Sequence, residues 1–121
     1  MYRKIIIAGA LNAFLAVALG AFAAHALKQQ FGVYELKIWQ TAVDYQMAHA
    51  LGLILIGLLA KTLDIDLTKP GWIMLTGIIL FSGSLYVLSL SGVKALGMVT
   101  PLGGMCFLIA WVWLALSVYK N

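Results

Sequence analysis

Long runs without a charged side chain dominate the pattern of hydrophobic and polar positions. Residues 5–27, 70–93 and 95–119 contain no Asp, Glu, Lys or Arg, and they are 23, 24 and 25 residues long. A helix needs about 20 apolar residues to cross a hydrocarbon core about 30 Å thick. The three runs therefore predict three membrane-spanning helices.

A fourth uncharged run, residues 45–60, is shorter than the others. Its 16 residues between Asp44 and Lys61 correspond to about 24 Å of helix. We expect this helix to begin earlier, near residues 34–38, with an amphipathic first part that lies in the interface or packs on the bundle. Trp39 suits such a boundary position.

The whole pattern predicts an all-α fold, a four-helix transmembrane bundle with an amphipathic extension before helix 2. The composition agrees, since 64% of the residues are hydrophobic and 10% are charged, against about 45–50% and 25% in soluble domains. The first run resembles a signal peptide but exceeds the usual 7–15 apolar residues of one. We expect one membrane domain over 1–121, with helices at about 5–27, 36–61, 71–91 and 98–119.

Positive residues indicate an orientation. Four spans place both termini on one side of the membrane, and this side carries five basic residues: Arg3, Lys4, Lys61, Lys69 and Lys120. The other side carries three: Lys28, Lys37 and Lys94. Because Lys and Arg are enriched on the cytoplasmic side, we expect both termini in the cytoplasm. Lysines that flank spans explain the net charge of +4, so we expect the lipid bilayer, and no nucleic acid, as a partner.

Small residues mark two helices for close packing. Small side chains at every fourth position let helix backbones approach each other in lipid. The partner is open between another helix of this chain and a second copy. The helix-packing candidates are Gly9, Ala13, Ala16, Gly20, Ala24, Gly103 and Gly104.

The two histidines lie in nearly repeated segments, AAHALK at 23–28 and MAHALG at 47–52. His25 is at the exit of helix 1 and His49 is in the entry half of helix 2, so the two are expected to occupy the same half of the membrane. They are therefore candidates to face each other across a helical hairpin.

Further polar residues belong to the same region. Tyr45 and Gln46 share the helix face of His49, whereas Asp44 aligns with Gln40 or reaches another helix. In helix 3, Ser82, Tyr86 and Ser89 share one face. The candidate polar cluster is His25, Asp44, Tyr45, Gln46, His49, Ser82 and Tyr86.

This cluster has three interpretations. Structural hydrogen bonding is the simplest, and proton or solute handling is the second, because histidine titrates near neutral pH. The third is haem ligation by two histidines in a helical bundle, for which closely packed helices leave little room. Two histidines are too few ligands for zinc. We predict no metal site and no cofactor.

The chain resembles the YgdD/YwdK-like family of small bacterial inner-membrane proteins, a family with a domain of unknown function. The resemblance covers essentially the whole chain and rests on five segments: GALNAFLAVALGAFAAHALK (9–28), WQTAVDYQMAHALGL (39–53), GW (71–72), FSGSLY (81–86) and TPLGG (100–104). Family members often read Gly-Ala-His where this chain has Ala23-Ala24-His25.

The resemblance implies four helices in the plasma membrane of a bacterium. It implies no established activity, substrate or catalytic residue. The recurring polar positions of the family correspond to His25, Trp39, Tyr45, Gln46, His49, Ser82, Ser84, Tyr86, Thr100 and Pro101.

The sequence offers no nucleophile–base pair, phosphate loop or complete metal set, so we expect a protein that is not an enzyme and has no catalytic residue. The leading hypothesis is a multi-pass membrane protein that acts as a homo-oligomer or as an accessory subunit of a membrane complex. One alternative is a small channel or carrier for protons or a small solute, lined by the His/Tyr/Ser cluster. A second alternative is a haem-binding membrane protein.

Overall fold

Residues 2–121 form four long helices and two short helical segments. The computed structural model describes residues 2–121. All four helices are long and apolar enough to cross a membrane, which confirms the predicted four-helix transmembrane fold. The elements are α1 (Tyr2–Phe22), a π-helix that continues it (Ala23–Leu27), α2 (Val33–Leu63), α3 (Thr68–Ser91), a 3-10 helix (Lys94–Met98) and α4 (Thr100–Lys120).

Helix α2 is longer than the sequence predicted. It begins at Val33, directly after Gly32, whose extended backbone ends the connection from α1. No proline or glycine interrupts the chain until Gly52, so the expected amphipathic extension is a continuous part of the same helix. Trp39, within this extension, is only 2% exposed. The extension therefore packs on the bundle.

A short turn joins α2 to α3 on the side of the termini. Asp64 ends α2 in the left-handed conformation with φ 54°, which Asp tolerates better than most residues. Asp66 then accepts hydrogen bonds from the Thr68 hydroxyl and from the Thr68 backbone N–H. These bonds stabilise the carboxylate and lower the pKa of Asp66.

The central pair of the fold is α2 and α3, and α1 and α4 flank it. Helix α1 packs along α2 and meets α3 where Ile5 contacts Gly71. Helix α4 packs along α3 and reaches α2 through Trp111. Half of the most apolar stretch of α2 is buried, against 17% in α1 and in the span containing α4. Each flanking helix therefore presents a long apolar face outward.

Small residues permit the closest helix contacts, and they do so within one chain. A Cβ added at Gly9 would lie 2.7 Å from the Ala50 carbonyl oxygen, and one at Gly103 would lie 2.3 Å from the Phe81 backbone nitrogen. The remaining candidates differ in burial: Ala16 is buried, Ala13, Gly20 and Gly104 are half-buried, and Ala24 is exposed. The closest contacts of the small residues, at Gly9 and Gly103, are therefore between helices of the same chain.

Two apolar clusters lie at different heights in the bundle. The larger one is near the termini and includes Ile5, Leu53 and Met74. The smaller one is near the other end and includes Trp39 and Val43. The α2 segment between Val43 and Leu53 carries the polar side chains described next.

Candidate functional site

A chain of side-chain hydrogen bonds joins the first three helices. The Gln46 amide donates to Asn12 Oδ1 at 3.0 Å, and the Tyr86 hydroxyl donates to Gln46 Oε1 at 2.7 Å. Asn12 donates in turn to the Ala8 carbonyl at 2.9 Å. Gln46 is 5% exposed, and an unpaired amide at such a position costs several kcal/mol in an apolar medium. The chain of bonds therefore fixes α1, α2 and α3 in one register.

His49 is the second polar centre, and it joins α2 to α4. Its Nδ1 lies 2.7 Å from the Tyr45 carbonyl oxygen, and its Nε2 lies 3.1 Å from Trp111 Nε1. An indole N–H only donates hydrogen bonds, so we assign Nε2 as the acceptor and place the proton on Nδ1, which donates to Tyr45. The imidazole is therefore neutral, and both of its nitrogens have partners.

Aromatic side chains enclose the His49 ring. The Phe107 ring is stacked on it, with 3.5 Å between the centroids and 11° between the planes. The Tyr45 ring lies 6.0 Å away and nearly parallel, and it also contacts Phe81 with centroids 4.4 Å apart. The side chains in contact with His49 thus come from α2 and α4, and Phe81 of α3 packs against Tyr45 and Phe107.

Serine hydroxyls complete the polar set through backbone and threonine contacts. Ser82 donates to the Ala42 carbonyl at 2.8 Å, which adds a buried bond between α3 and α2. Ser84 and Thr100 share a hydrogen bond of 2.6 Å between α3 and α4. Across residues 2–121, every buried side-chain nitrogen and oxygen has a hydrogen-bond partner. The buried polar groups are therefore satisfied inside the protein, as a lipid environment requires.

His25 lies outside this cluster, so the two histidines, which were candidates to face each other across a helical hairpin, do not do so. The register of α1 and α2 is set by the Trp39 indole, which donates to the Leu19 carbonyl at 2.9 Å, and by the contact of Gly9 with Ala50. His49 is thus level with Gly9, 16 residues from His25, or about 24 Å along the helix.

The length of α2 explains this separation. Sixteen residues of α2, from Val33 to Ala48, precede His49 and run beside the far part of α1. His25 itself is exposed in the π-helix. Two axial ligands of one haem must bind the same iron, so these histidines cannot form such a pair within one chain.

Asp44 also lies apart from the buried cluster. It is exposed, and the Gln40 amide donates to its carboxylate at 2.8 Å, which confirms the predicted alignment with Gln40. Asp44 is 17 residues from Lys61, or about 26 Å. If the hydrocarbon core of about 30 Å begins at the level of Lys61, the carboxylate is about 4 Å inside its opposite boundary.

Asp44 belongs to a stripe of α2 that no other helix covers, and we call this stripe the outer face of α2. Its residues recur three or four positions apart and are all exposed: Lys37, Gln40, Asp44, Ala48 and Leu51. The first three are polar and the last two are apolar. The outer face of α2 is therefore polar up to Asp44 and apolar beyond it.

Sequence reasoning missed two hydrogen-bonding members of the site, Asn12 and Trp111, and the ring of Phe107 that stacks on His49. Asn12 is the only carboxamide in the uncharged run 5–27, and a lone amide in a span usually bonds to a neighbouring helix. That signal was available. Trp111 gave no comparable signal, because tryptophan is common in membrane helices and only the fold brings it to His49.

These features define a multi-pass integral membrane protein with a satisfied polar layer inside a helical bundle. Residues 19–104 match the family described as "Protein of unknown function (DUF423)". The chain belongs to this family.

Relatives match nearly the whole chain. The UPF0382 membrane protein YwdK of Bacillus subtilis (strain 168) is 48% identical over 120 residues, covering 98% of both chains. UPF0382 membrane proteins of Staphylococcus epidermidis (strain ATCC 12228) and Staphylococcus aureus (strain bovine RF122) are 47% and 46% identical over 118 residues, covering 98% of this chain and 97% of theirs. No solved structure matches the chain.

Proposed function

We propose that this chain is a non-enzymatic component of the bacterial plasma membrane that acts by association, as a homo-oligomer or as an accessory subunit of a membrane complex. The observation that carries the proposal is Asp44 on the outer face of α2. An ionisable side chain within a membrane span normally faces the bundle interior or a water-filled cavity and is paired there. Asp44 faces outward, with Gln40 as its hydrogen-bond partner.

A partner helix against the outer face of α2 would remove this carboxylate from lipid. A hydrogen-bond donor or a basic residue on the partner would satisfy Asp44, and the apolar part at Ala48 and Leu51 would provide packing area. Interhelical hydrogen bonds in membranes contribute about 0.6–2 kcal/mol each. Such a bond, together with helix packing, suffices for reversible association.

The buried polar layer supports association over transport. A path for protons or a solute needs polar groups that are free to exchange partners. Gln46 is bonded to Asn12 and Tyr86, and both nitrogens of His49 have partners. These groups join helices to each other, so a structural role accounts for them.

Photocrosslinking in living cells tests the proposal. A photoreactive amino acid in place of Ala48, one turn from Asp44 on the outer face of α2, should capture a protein partner. A product of twice the mass of the chain indicates a homo-oligomer, and a product of another mass indicates an accessory subunit. The matched control places the same probe at Val112, an exposed position of α4.

The Asp44→Leu variant makes this test specific for the carboxylate. Because Asp44 is exposed, the variant should fold, and capture at Ala48 should fall strongly. Capture that is equal at Ala48 and Val112, or that is unaffected by Asp44→Leu, would contradict the proposed face. Failure of both probes to capture any protein would contradict association.

We also propose that both termini lie in the cytoplasm. The support is the excess of basic residues at that end, where Lys61 donates to the Tyr2 hydroxyl at 3.2 Å and Lys69 lies 5.9 Å from the Trp113 ring. Such lysine–aromatic pairs suit a membrane–water interface. A green fluorescent protein fused after Asn121 should fluoresce, and an alkaline phosphatase fused there should be inactive. The reverse result would contradict the orientation.

A further inference from the structure

A groove of about 450 Å³ lies between the end of α1 and the beginning of α2, at the membrane boundary opposite the termini. The groove extends from Gly20 toward the connection between the two helices. Seven residues line it: Gly20, Ala23, Ala24 and Lys28 from the end of α1 and the residues after it, and Leu36, Lys37 and Gln40 from α2.

Two of the three basic residues at this end of the molecule converge on the groove. Lys28 follows the π-helix and Lys37 lies in the second turn of α2, so the two cations come from different elements. The third, Lys94, lines a separate groove beside the end of α3. The convergence gives this groove a local positive charge at the height where phospholipid phosphates lie.

The residues that α1 and the π-helix contribute to the groove on the membrane side of Lys28 are small and apolar. A Cβ at Gly20 would lie 3.3 Å from Val43 Cγ1, so α1 and α2 close against each other at that level. Val17, three residues further along the same side of α1, is 62% exposed. An acyl chain has an uninterrupted apolar surface to follow from Ala24 past Gly20 to Val17.

We propose that this groove binds an anionic phospholipid, with the headgroup phosphate between Lys28 and Lys37 and one acyl chain along α1. Basic side chains attract anionic lipid headgroups, and a Lys near an anionic membrane surface contributes about 1 kcal/mol. Glu35, the carboxylate nearest to Lys37 along α2, lines the separate groove beside the end of α3. Asp44 lies seven residues, about two turns, deeper than Lys37 and accepts a bond from Gln40. Neither carboxylate is among the residues that line this groove.

Native mass spectrometry of the purified full-length protein, titrated with phosphatidylglycerol, tests the site. Substitution of one Lys by Gln should weaken lipid binding about fivefold, which corresponds to about 1 kcal/mol. The variants are Lys28→Gln and Lys37→Gln, and the matched control is Lys94→Gln, which removes the same charge at the same end. The control should change binding less than twofold.

Further measurements distinguish binding of a lipid from binding of free phosphate. They also distinguish the contribution of the lysine charges from that of the groove's shape. Inorganic phosphate at millimolar concentration should leave bound phosphatidylglycerol in place, and phosphatidylcholine should bind more weakly than phosphatidylglycerol. The Ala24→Trp variant keeps both lysines but fills the groove, and it should reduce lipid binding as strongly as Lys28→Gln.

Equal weakening by Lys94→Gln and Lys28→Gln would overturn the site, because the effect would then be general surface charge. Full displacement of phosphatidylglycerol by inorganic phosphate would show that Lys28 and Lys37 bind a free anion, which would contradict a lipid site. Unchanged lipid binding in the Ala24→Trp variant would contradict binding in the groove. The same spectra report oligomeric state, so loss of lipid binding and loss of association are distinguished in one experiment.

Discussion

The same four residues, Ala-His-Ala-Leu, occur twice in this chain and have opposite environments. At the end of α1, His25 is exposed in a π-helix at the membrane boundary. In the middle of α2, His49 is 7% exposed, stacked on Phe107 and bonded at both nitrogens. Local sequence is almost identical in the two segments, so it does not decide which histidine is buried.

The difference comes from the helix pairing. Trp39 and Gln46 bond to α1 at Leu19 and Asn12, and these contacts set how far α2 extends beyond the end of α1. His49 thereby reaches the level at which α4 supplies Trp111. In this bundle, contacts far away in the sequence set the position of a residue along the helix axes, and that position decides whether the residue is buried.

The largest expected effect comes from disturbing the helix contact at the level of His49. Gly9→Leu forces a side chain against the Ala50 carbonyl, and overpacking of this kind costs about 3 kcal/mol. Gly83→Leu is the control, because a Cβ at Gly83 meets nothing within 4 Å. We expect it to be neutral or slightly stabilising, since glycine is a poor helix former. Unfolding in mixed micelles with dodecyl sulfate measures both, and equal losses would contradict the assigned packing.

The next effect compares the histidines directly. His49→Ala removes the partner of the Trp111 indole and leaves a cavity beside Phe107, so we expect a loss of about 2 kcal/mol. His25→Ala changes an exposed residue and should alter stability by less than about 0.5 kcal/mol. The same unfolding assay applies. Similar losses in both variants would show that the two histidines share an environment after all.

A smaller loss of stability is expected from breaking the hydrogen bond between Tyr86 and Gln46, which helps to fix the register of α2 and α3. Tyr86→Phe removes the hydroxyl that donates to Gln46 Oε1, and the loss of one interhelical bond in a membrane costs about 0.6–1 kcal/mol. Tyr34→Phe is the control, since Tyr34 is 65% exposed. A neutral Tyr86→Phe variant would mean that the bond contributes nothing to helix pairing.

The smallest effect is spectroscopic. Nitrogen NMR of histidine-labelled protein at neutral pH should show His49 with a proton on Nδ1 and a bare, hydrogen-bonded Nε2. Trp111→Phe removes the donor to Nε2, so the Nε2 resonance should move toward the position of a free imidazole nitrogen while that of His25 stays fixed. A proton on Nε2 of His49 in the native protein would contradict the assigned tautomer.

Much of the fold was predictable from the sequence because the bilayer imposes it. The uncharged runs fix the number of helices, and Gly92 and Pro101 lie near the end of α3 and the start of α4, as breakers should. The beginning of α2 was less predictable. Charge marks where a span leaves lipid, but the helix continues past that point as long as its residues favour it.

The candidate site was predictable only in part. Spacing on a single helix placed His49 beside Tyr45 and paired Asp44 with Gln40. Gln46 belongs to a separate hydrogen-bond network with Asn12 and Tyr86. Contacts between helices depend on register, which spacing does not contain, so His25 was included and Asn12 was omitted. The orientation of α4, which brings Trp111 to His49, follows from the packing of Gly103 against Phe81.

The length of α2 has a consequence for hydrophobic matching. Its 31 residues span about 46 Å, whereas the 21 residues of α4 span about 32 Å. Helix α2 is thus about 14 Å longer than α4, whose length is close to that of a hydrocarbon core of about 30 Å. Asp44 lies close to the boundary of the hydrocarbon core at the end opposite the termini. A thicker bilayer submerges its carboxylate and a thinner one releases it, so acyl-chain length should alter how strongly the outer face of α2 favours a partner.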